Sequence, residues 1–536
     1  MEQDYEGHES PSNSTIDHTI ESFLSLSRAP QGRLEAASKG AVPLFLDLIR
    51  TYLAPKIEPE LSPSRAQLTR SRLVSSLKVL RNLCAGEPMN QDSFIDHQGP
   101  HFLSVTMNSL DFMSPQALDI IMVGLQILGN VGLAGERHKV AIWGELFPKG
   151  FEKFAEVESS KLCGPLCMII YNCCRDNDHR LKELCGVSGL PLMAGIIRSI
   201  VSDGIEEEWP QWLLSYICFE SPYFPQLFWG LSSCSFPNGS KEIMSKDHFS
   251  DMQAWLLTVL LDIMDEQRNQ LSICMEFALS LLQIVKRVGR SMDSLSTNTL
   301  DCPVGSGASP TLPSGSSVIN ILGYSISILR ELCALEDHHN KHSEKLSLPT
   351  KEAQEMRGSS IVDSLVNSGL IQLMLGFLRD LEPPAIIKRA QAQSRNDKPN
   401  EDHENENASL TSTEEGESGG ASVIAPKNKC PYKGFRRDIV AIIGNCTYHR
   451  KHVQDEIGRE KGVLLMMQQC VVDEDNPYLR EWGIWAIRNL MEGNLDNQRE
   501  ASELELLGSV DTPEISQLGL KVQVDQKSGR AKLVNV

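Results

Sequence analysis

The spacing of apolar positions along the chain reads as helix after helix. Ile439, Ile442, Ile443 and Cys446 fall at i, i+3, i+4 and i+7, which draws one apolar stripe along a helix. The run WGIWAIRNLM at 482–491 is apolar nearly all round, so its helix is expected to be buried between neighbours. Before residue 500 no stretch alternates strongly enough for a sheet. Near the end, GLKVQVDQKSGRAKLVNV (519–536) sets KVQV and AKLV either side of a polar turn containing Gly529, a β-hairpin signal. Two strands alone are marginal, so the hairpin is expected either to dock on the last helices or to fray.

The helices repeat. An Asn recurs inside apolar helical sequence at Asn82 (LRNLC), Asn130 (LGNVG), Asn172 (IYNCC), Asn445 (IGNCT) and Asn489 (IRNLM). Neighbours in this series lie 48, 42 and 44 residues apart, close to the roughly 40–47 of armadillo and HEAT units. A Gln follows nine residues after Asn82, Asn445 and Asn489, at Gln91, Gln454 and Gln498. A Gly follows seventeen after Asn82, Asn172 and Asn445, at Gly99, Gly189 and Gly462. Glycines also open the helical runs that start at Gly40 and Gly369, and such a Gly is expected to take the left-handed backbone that turns one helix into the next. Pro43 and Pro191 suit a helix's first turn. The signal is clear at both ends of the chain and weak between 200 and 360. These features predict an all-α, armadillo/HEAT-like helical-repeat solenoid of the ARM type, with two unfolded insertions and a short C-terminal β-hairpin.

Composition places the interruptions. Three stretches hold too few apolar residues to offset the entropy of ordering them: the start, the Ser/Gly/Pro-rich run SMDSLSTNTLDCPVGSGASPTLPSGSS, and an acidic run that carries −7 between Asn396 and Gly420. The expected organisation is an unfolded N-terminus at 1–15, armadillo-like repeats at 16–290, the first insertion at 291–317, further helical repeats at 318–390, the acidic insertion at 391–430, C-terminal repeats at 431–505 and a tail with the hairpin at 506–536. A length of 536 residues is too great for one ordinary core and suits a structure that grows by stacking. The net charge of −19 argues against a phosphate-neutralising, nucleic-acid-binding surface. The first 25 residues lack the basic start and apolar stretch of a secretory signal. No apolar run approaches ~18 residues, Trp255 to Met264 coming closest, so no membrane insertion is expected. Fourteen Cys without framework spacing read as reduced thiols in the cytosol.

The segment 435–504 closely resembles the C-terminal domain of the ataxin-10 family. The pieces that carry the resemblance are FRRD, IGN, VQD, the D-E-D-N-P run at 473–477, REW, and IRNL with DNQ. The resemblance implies a cytoplasmic helical-repeat protein without catalysis, linked to cell division, cytokinesis and cell survival through protein partners. It covers about 70 residues, and the N-terminal repeats match only the general armadillo pattern.

An Asn amide inside an apolar helix needs partners, because leaving it unpaired costs about 1–3 kcal/mol. Two readings stand side by side: a bond to the adjacent repeat's backbone, or a concave-face ladder in which each Asn grips an extended partner. Asn82, Asn130, Asn172, Asn445 and Asn489, with Trp485 and Arg488 on the last of these helices, are therefore the candidate partner-binding residues. Only Trp485 precedes an Asn by four residues, the pairing used by armadillo adaptors that import nuclear cargo; Lys78, Gln126, Met168 and Ala441 hold the other four positions. Cys163, Cys167, Cys173, Cys174, His179 and Cys185 form the densest thiol cluster, but they lie along apolar helices, whereas zinc takes paired ligands on turns. The His-rich stretch DHHNKHSE at 337–344 has no second set of ligands nearby. No nucleophile elbow, phosphate-cradling Gly loop, HExxH or kinase signature occurs. The reading is a non-enzymatic scaffold with no cofactor or metal, whose partners are other proteins; the alternatives are a nuclear-transport-like peptide adaptor and a Cys/zinc-dependent enzyme. Its oligomeric state is left open, self-association included. Residues 427–461 carry +5 beside the −7 insertion, which either is a solvated linker or folds back over this patch and competes with an acidic partner.

Overall fold

The computed structural model describes residues 13–53, 63–110, 112, 114–204, 208–233, 249–267, 271–295, 314–344, 360–396, 428–503, 517, 520–524 and 531–535. The chain divides into two compact units, residues 1–277 with 306–312 and residues 278–305 with 313–536.

The first unit runs α1 (Asn13–Leu26), α2 (Pro30–Ser38), α3 (Ala41–Leu53), α4 (Pro63–Leu83), α5 (Pro88–Asp96), α6 (Gly99–Asn108), α7 (Pro115–Gly132), α8 (Glu136–Leu146), α9 (Lys149–Ala155), α10 (Ser160–Cys174), α11 (Asp178–Leu184), α12 (Leu190–Asp203), α13 (Glu208–Ser215, extended by a π-helical turn to Glu220), α14 (Phe224–Gly230) and α15 (Asp251–Glu266). Two short helices and one long one recur, as in α5–α6–α7 and α8–α9–α10. The long helices stack in chain order, α1 on α4, α4 on α7, α7 on α10 and α10 on α13. Proline at the first turn of α2, α5, α6 and α7 marks helix starts where its missing N–H costs nothing. Asn177 caps α11, its Oδ1 accepting from Arg180 N at 3.0 Å. Between the helices lie fully buried aliphatic and phenylalanine side chains, among them Phe45, Phe94, Phe151 and Phe154, each contributing about 1.5–3 kcal/mol by leaving water.

The second unit holds most of α16 (Met275–Leu295), then α17 (Ser317–Glu344), α18 (Ile361–Asn367), α19 (Leu370–Asp380), α20 (Ala385–Asn396), α21 (Phe435–Thr447), α22 (Lys451–Arg459), α23 (Gly462–Met467), α24 (Leu479–Met491) and α25 (Leu495–Ser502), and the strands β1 (Leu520–Val524) and β2 (Ala531–Asn535). The same trio recurs as α22–α23–α24, and α17 packs on α21 as α21 packs on α24. The fold is an all-α helical repeat, and the expected hairpin is formed: β1 and β2 pair antiparallel from Leu520↔Asn535 to Val524↔Ala531.

Several expectations need correction. Gly40 and Gly369 do take left-handed backbone, at φ +64° and +87°. At Gly99 and Gly462 the left-handed residue is instead the one before, Gln98 or Lys461, and Gly189 has φ −94°. Glycine is needed at these three sites because the end of the preceding helix comes so close: a Cβ would lie 2.5 Å from the Phe94 ring, 2.0 Å from Leu184 O and 2.6 Å from Ile457 Cγ2. The stripe read for α21 is too narrow, since Arg436, Asp438, Asn445 and Thr447 are buried along with its apolar positions. Helix α24 is not enclosed, for Ile484 is 56% and Trp485 43% exposed. Among the described residues, 317–335 of α17, rather than Trp255–Met264, form a helix long and apolar enough to cross a membrane; more than half of that stretch is buried inside the protein. Helix α1 begins at Asn13, α16 reaches Leu295 and α20 reaches Asn396, while residues 1–12, 296–313 and 397–427, which carry most of the expected unfolded stretches, lie outside the described residues.

Helix α1 is tied to α4 by Arg72, whose Nε and Nη2 donate to the two Asp17 carboxylate oxygens, each at 2.7 Å. These bonds hold the Asp17 carboxyl below its usual pKa. An acid with a depressed folded pKa stabilises above its unfolded value, and the contribution is lost as pH falls through the folded one. Asp17→Asn is therefore expected to lower the unfolding midpoint of the first unit by about 2 °C at neutral pH. The difference from the parent should close as pH drops below about 4; thermal melts showing the same gap at about pH 2 would contradict the assignment.

Candidate functional site

The recurring Asn residues sit where successive long helices meet. Asn130 Nδ2 donates to Arg81 O of α4 at 2.9 Å, and Asn489 Nδ2 donates to Gly444 O of α21 at 2.9 Å. In each case the acceptor stands one residue before the preceding helix's own Asn. Asn445 Nδ2 follows the same rule toward Arg330 O at 3.5 Å. Asn82 Nδ2 donates to Ser27 Oγ at 3.3 Å, and its Oδ1 accepts from Arg81. Asn172 Nδ2 is buried with no hydrogen-bond partner. Four of the five amide nitrogens thus bond within the stack, tying each long helix to the structure that precedes it.

The Gln nine residues after the Asn closes the other side of the joint. Gln91 Nε2 donates to Cys84 O at 2.9 Å, at the end of its own repeat's long helix, and to Asn130 O at 2.8 Å on the next. Gln454 Nε2 does the same with Thr447 O at 3.3 Å and Asn489 O at 2.8 Å. The last carbonyls of a helix have no intrahelical partner, so one buried amide satisfies two orphan acceptors and fixes the step to the following helix. One residue earlier a second donor works on the adjacent carbonyl: Asn90 on Leu83 O, Arg180 on Cys173 O and Asn497 on Leu490 O.

Sequence spacing missed one rung. Leu329-Arg330-Glu331-Leu332-Cys333 in α17 matches Leu80-Arg81-Asn82-Leu83-Cys84, with Glu in place of Asn. Arg330 donates to Glu331 Oε1 as Arg81 does to Asn82 Oδ1. Arg330 also reaches the buried Asp438 of α21 at 2.6 Å, and Arg437 bonds the same oxygen at 2.7 Å. Two carboxylates and two guanidiniums balance at this joint. The shared LR-x-LC frame was the available signal; a search for Asn alone passes over it.

Among the described residues the ladder stops at α24. With Asn445 set on Asn489, positions 437, 440, 441 and 444 of α21 correspond to 481, 484, 485 and 488 of α24. In α21 Val440, Ala441 and Gly444 are buried and Arg437 partly so, and Gly444 abuts α24, where a Cβ would lie 3.1 Å from Ala486. In α24 Glu481, Ile484, Trp485 and Arg488 are all exposed. The Arg488 guanidinium lies 5.5 Å from the Trp485 ring centroid. Gln498 makes the first bond of its kind, to Met491 O at 2.8 Å, and among the described residues no further long helix follows to supply the second acceptor.

The thiol cluster is packing. Cys163, Cys167, Cys173, Cys174 and Cys185 are buried, and burial pushes the Cys173 and Cys185 thiols up to about 12, opposite in sense to an activated nucleophile. Among the described residues no three His, Cys, Asp or Glu side chains converge as metal ligands.

The family model described as the spinocerebellar ataxia type 10 protein domain matches residues 435–534, from α21 through the hairpin. The C-terminal part of this chain is a domain of the ataxin-10 family. An ataxin-10 homolog of Dictyostelium discoideum is 38% identical over 104 residues, 19% of this chain and 17% of that protein. The ataxin-10 of Xenopus tropicalis is 33% identical over 103 residues, 19% of this chain and 21% of that protein. The matched stretches thus span about a fifth of these relatives' own length. Among solved structures, an engineered protein aligns over 90% of this chain and 96% of its own at 10% identity, with a TM-score of only 0.34. The ataxin-10 domain contains the α21–α24 joint, with its Asn489 and Gln454 bonds, and the open face of α24.

These joints predict graded mutational costs. Gln454→Ala leaves two carbonyls unpaired and is expected to destabilise the second unit by about 2–4 kcal/mol. Gln498→Ala, at an exposed position with one bond, is expected to cost about 0.5 kcal/mol or less. Equal losses for the two in denaturant unfolding would contradict the joint.

Proposed function

We propose that the protein is a non-enzymatic, cytosolic protein–protein interaction scaffold of the ataxin-10 type, and that the outer face of α24 is one of its docking surfaces. The observation that carries this reading is the exposure of Ile484 and Trp485 at positions whose counterparts in α21 are buried. Terminal repeats of stacked proteins ordinarily turn a polar face outward. An exposed Trp with an Arg beside it has the composition of a binding hot spot. In α21 the corresponding face receives the next long helix, with Gly444 at the contact, whereas α24 carries Arg488 at that position. The biological setting, cell division and cytokinesis, cell survival or development, rests on the ataxin-10 resemblance. Thiol chemistry is not part of this reading, because burial pushes the clustered Cys173 and Cys185 thiols up to about 12.

Trp485→Glu combined with Ile484→Glu tests the surface. Both side chains are exposed, so thermal stability is expected to change little while recovery of partner proteins with the tagged full chain falls about tenfold or more. Quantitative mass spectrometry returning the same partners at the same level would contradict the proposal. If a second copy is one of the occupants, light scattering will show the solution mass of the intact chain falling with the same substitutions.

A further inference from the structure

We propose that a cavity in the second unit, between α16, α19 and the segment leading into α21, binds an acidic peptide by enclosing one bulky apolar side chain. Its volume is about 350 Å³, within the range of sites that hold small ligands or single anchoring groups. Leu373, Phe377, Leu381, Pro431 and Phe435 supply apolar walls, with the Phe377 and Phe435 rings 5.8 Å apart. Two glycines keep it open. Gly376 has no heavy atom within 4 Å of where its Cβ would stand, and Gly289 faces only the Phe377 ring.

The cavity is built in advance of any ligand. Asn428 is held as a short parallel bridge to the end of α19, its N donating to Asp380 O at 2.8 Å and its O accepting from Glu382 N at 2.9 Å. That bridge fixes the wall from which Lys429 and Pro431 line the cavity. Lys286 is anchored from the other side, its Nζ donating to Ser368 O at 2.5 Å.

Charge selects the occupant. Lys286, Arg290 and Lys429 stand among the lining residues against the single carboxylate of Asp380, three positive charges to one negative. On a chain whose net charge is −19, a local excess of two positive charges beside an apolar cavity is complementary to a peptide that carries carboxylates around a large apolar residue. This surface is separate from the face of α24, so neither depends on the other.

The test uses the intact chain and a fluorescein-labelled peptide with a central Phe flanked by Asp and Glu, read by fluorescence anisotropy. Binding is expected at low salt and should weaken as salt is added. At Gly376 a Cβ stands in open space, so Gly376→Leu is expected to occupy the cavity and lower affinity at least about tenfold with little change in the thermal midpoint. Lys286→Glu with Arg290→Glu should lower affinity about tenfold, and a peptide with Gly in place of the central Phe should bind about tenfold more weakly. Trp485→Glu is expected to leave peptide affinity as it was, so failure here is distinguishable from failure of the α24 surface. No binding to the intact chain at low salt, equal binding of the Gly-centred peptide, or parental affinity in Gly376→Leu would each overturn the proposal. So would self-association that Gly376→Leu abolishes, which would assign the cavity to a second copy.

Discussion

The constraint on which this structure depends is the pairing of backbone carbonyls at the ends of the long helices packed inside a stack. A helix leaves its last four carbonyls without intrahelical partners, and here those of α4, α7, α10, α21 and α24 fall where one rung meets the next. Their ends lie among neighbours and lack the access to water that usually satisfies them. Side chains solve the problem: Gln91 and Gln454 bond two carbonyls each, while Asn90, Arg180 and Asn497 bond the adjacent ones. Hydrophobic burial supplies most of the driving force, but it is non-directional. The amides decide how far each long helix advances on the one before.

The same requirement bears on function. A joint is complete only when the next rung supplies its carbonyl. At α24 the described rungs end, with Gln498 bonded to its own repeat alone and with Ile484 and Trp485 facing outward. The proposed docking face thus lies beside a joint that has only one of its two bonds. The joint between α17 and α21 shows how much variation a joint tolerates. There Glu331 takes the Asn position and the charges of Arg330, Arg437 and Asp438 accompany it.

Much of this was legible in the residues because spacing on a helix translates directly into geometry. The offset of nine between Asn and Gln is a bonding distance across a joint, and the alternation in KVQV and AKLV produced the two strands. The glycines were located correctly but for a partly mistaken reason: Gly99, Gly189 and Gly462 accommodate a close approach, which depends on Phe94, Leu184 and Ile457 in the preceding helix and cannot be seen in a local window. The exposure of α24 was hidden for a similar cause. Its composition is that of an enclosed helix, and only the packing among the described residues reveals that Ile484 and Trp485 are exposed. Glu331 escaped because a carboxylate in an apolar helix looks like an interruption until its guanidinium partners are placed around it. Of the candidate residues, Trp485 and Arg488 come together on an open surface, whereas Asn130, Asn445 and Asn489 are engaged between helices.

Hydrogen exchange of the intact chain in low denaturant, resolved to peptides by mass spectrometry, tests the central claim most directly. If Gln454 and Asn489 lock successive long helices together, the amides of α21 and α24 will open with one common free energy and respond alike to denaturant. Exchange of α24 at a distinctly lower free energy, independent of α21, would show that the joints do not couple the rungs and would contradict the account.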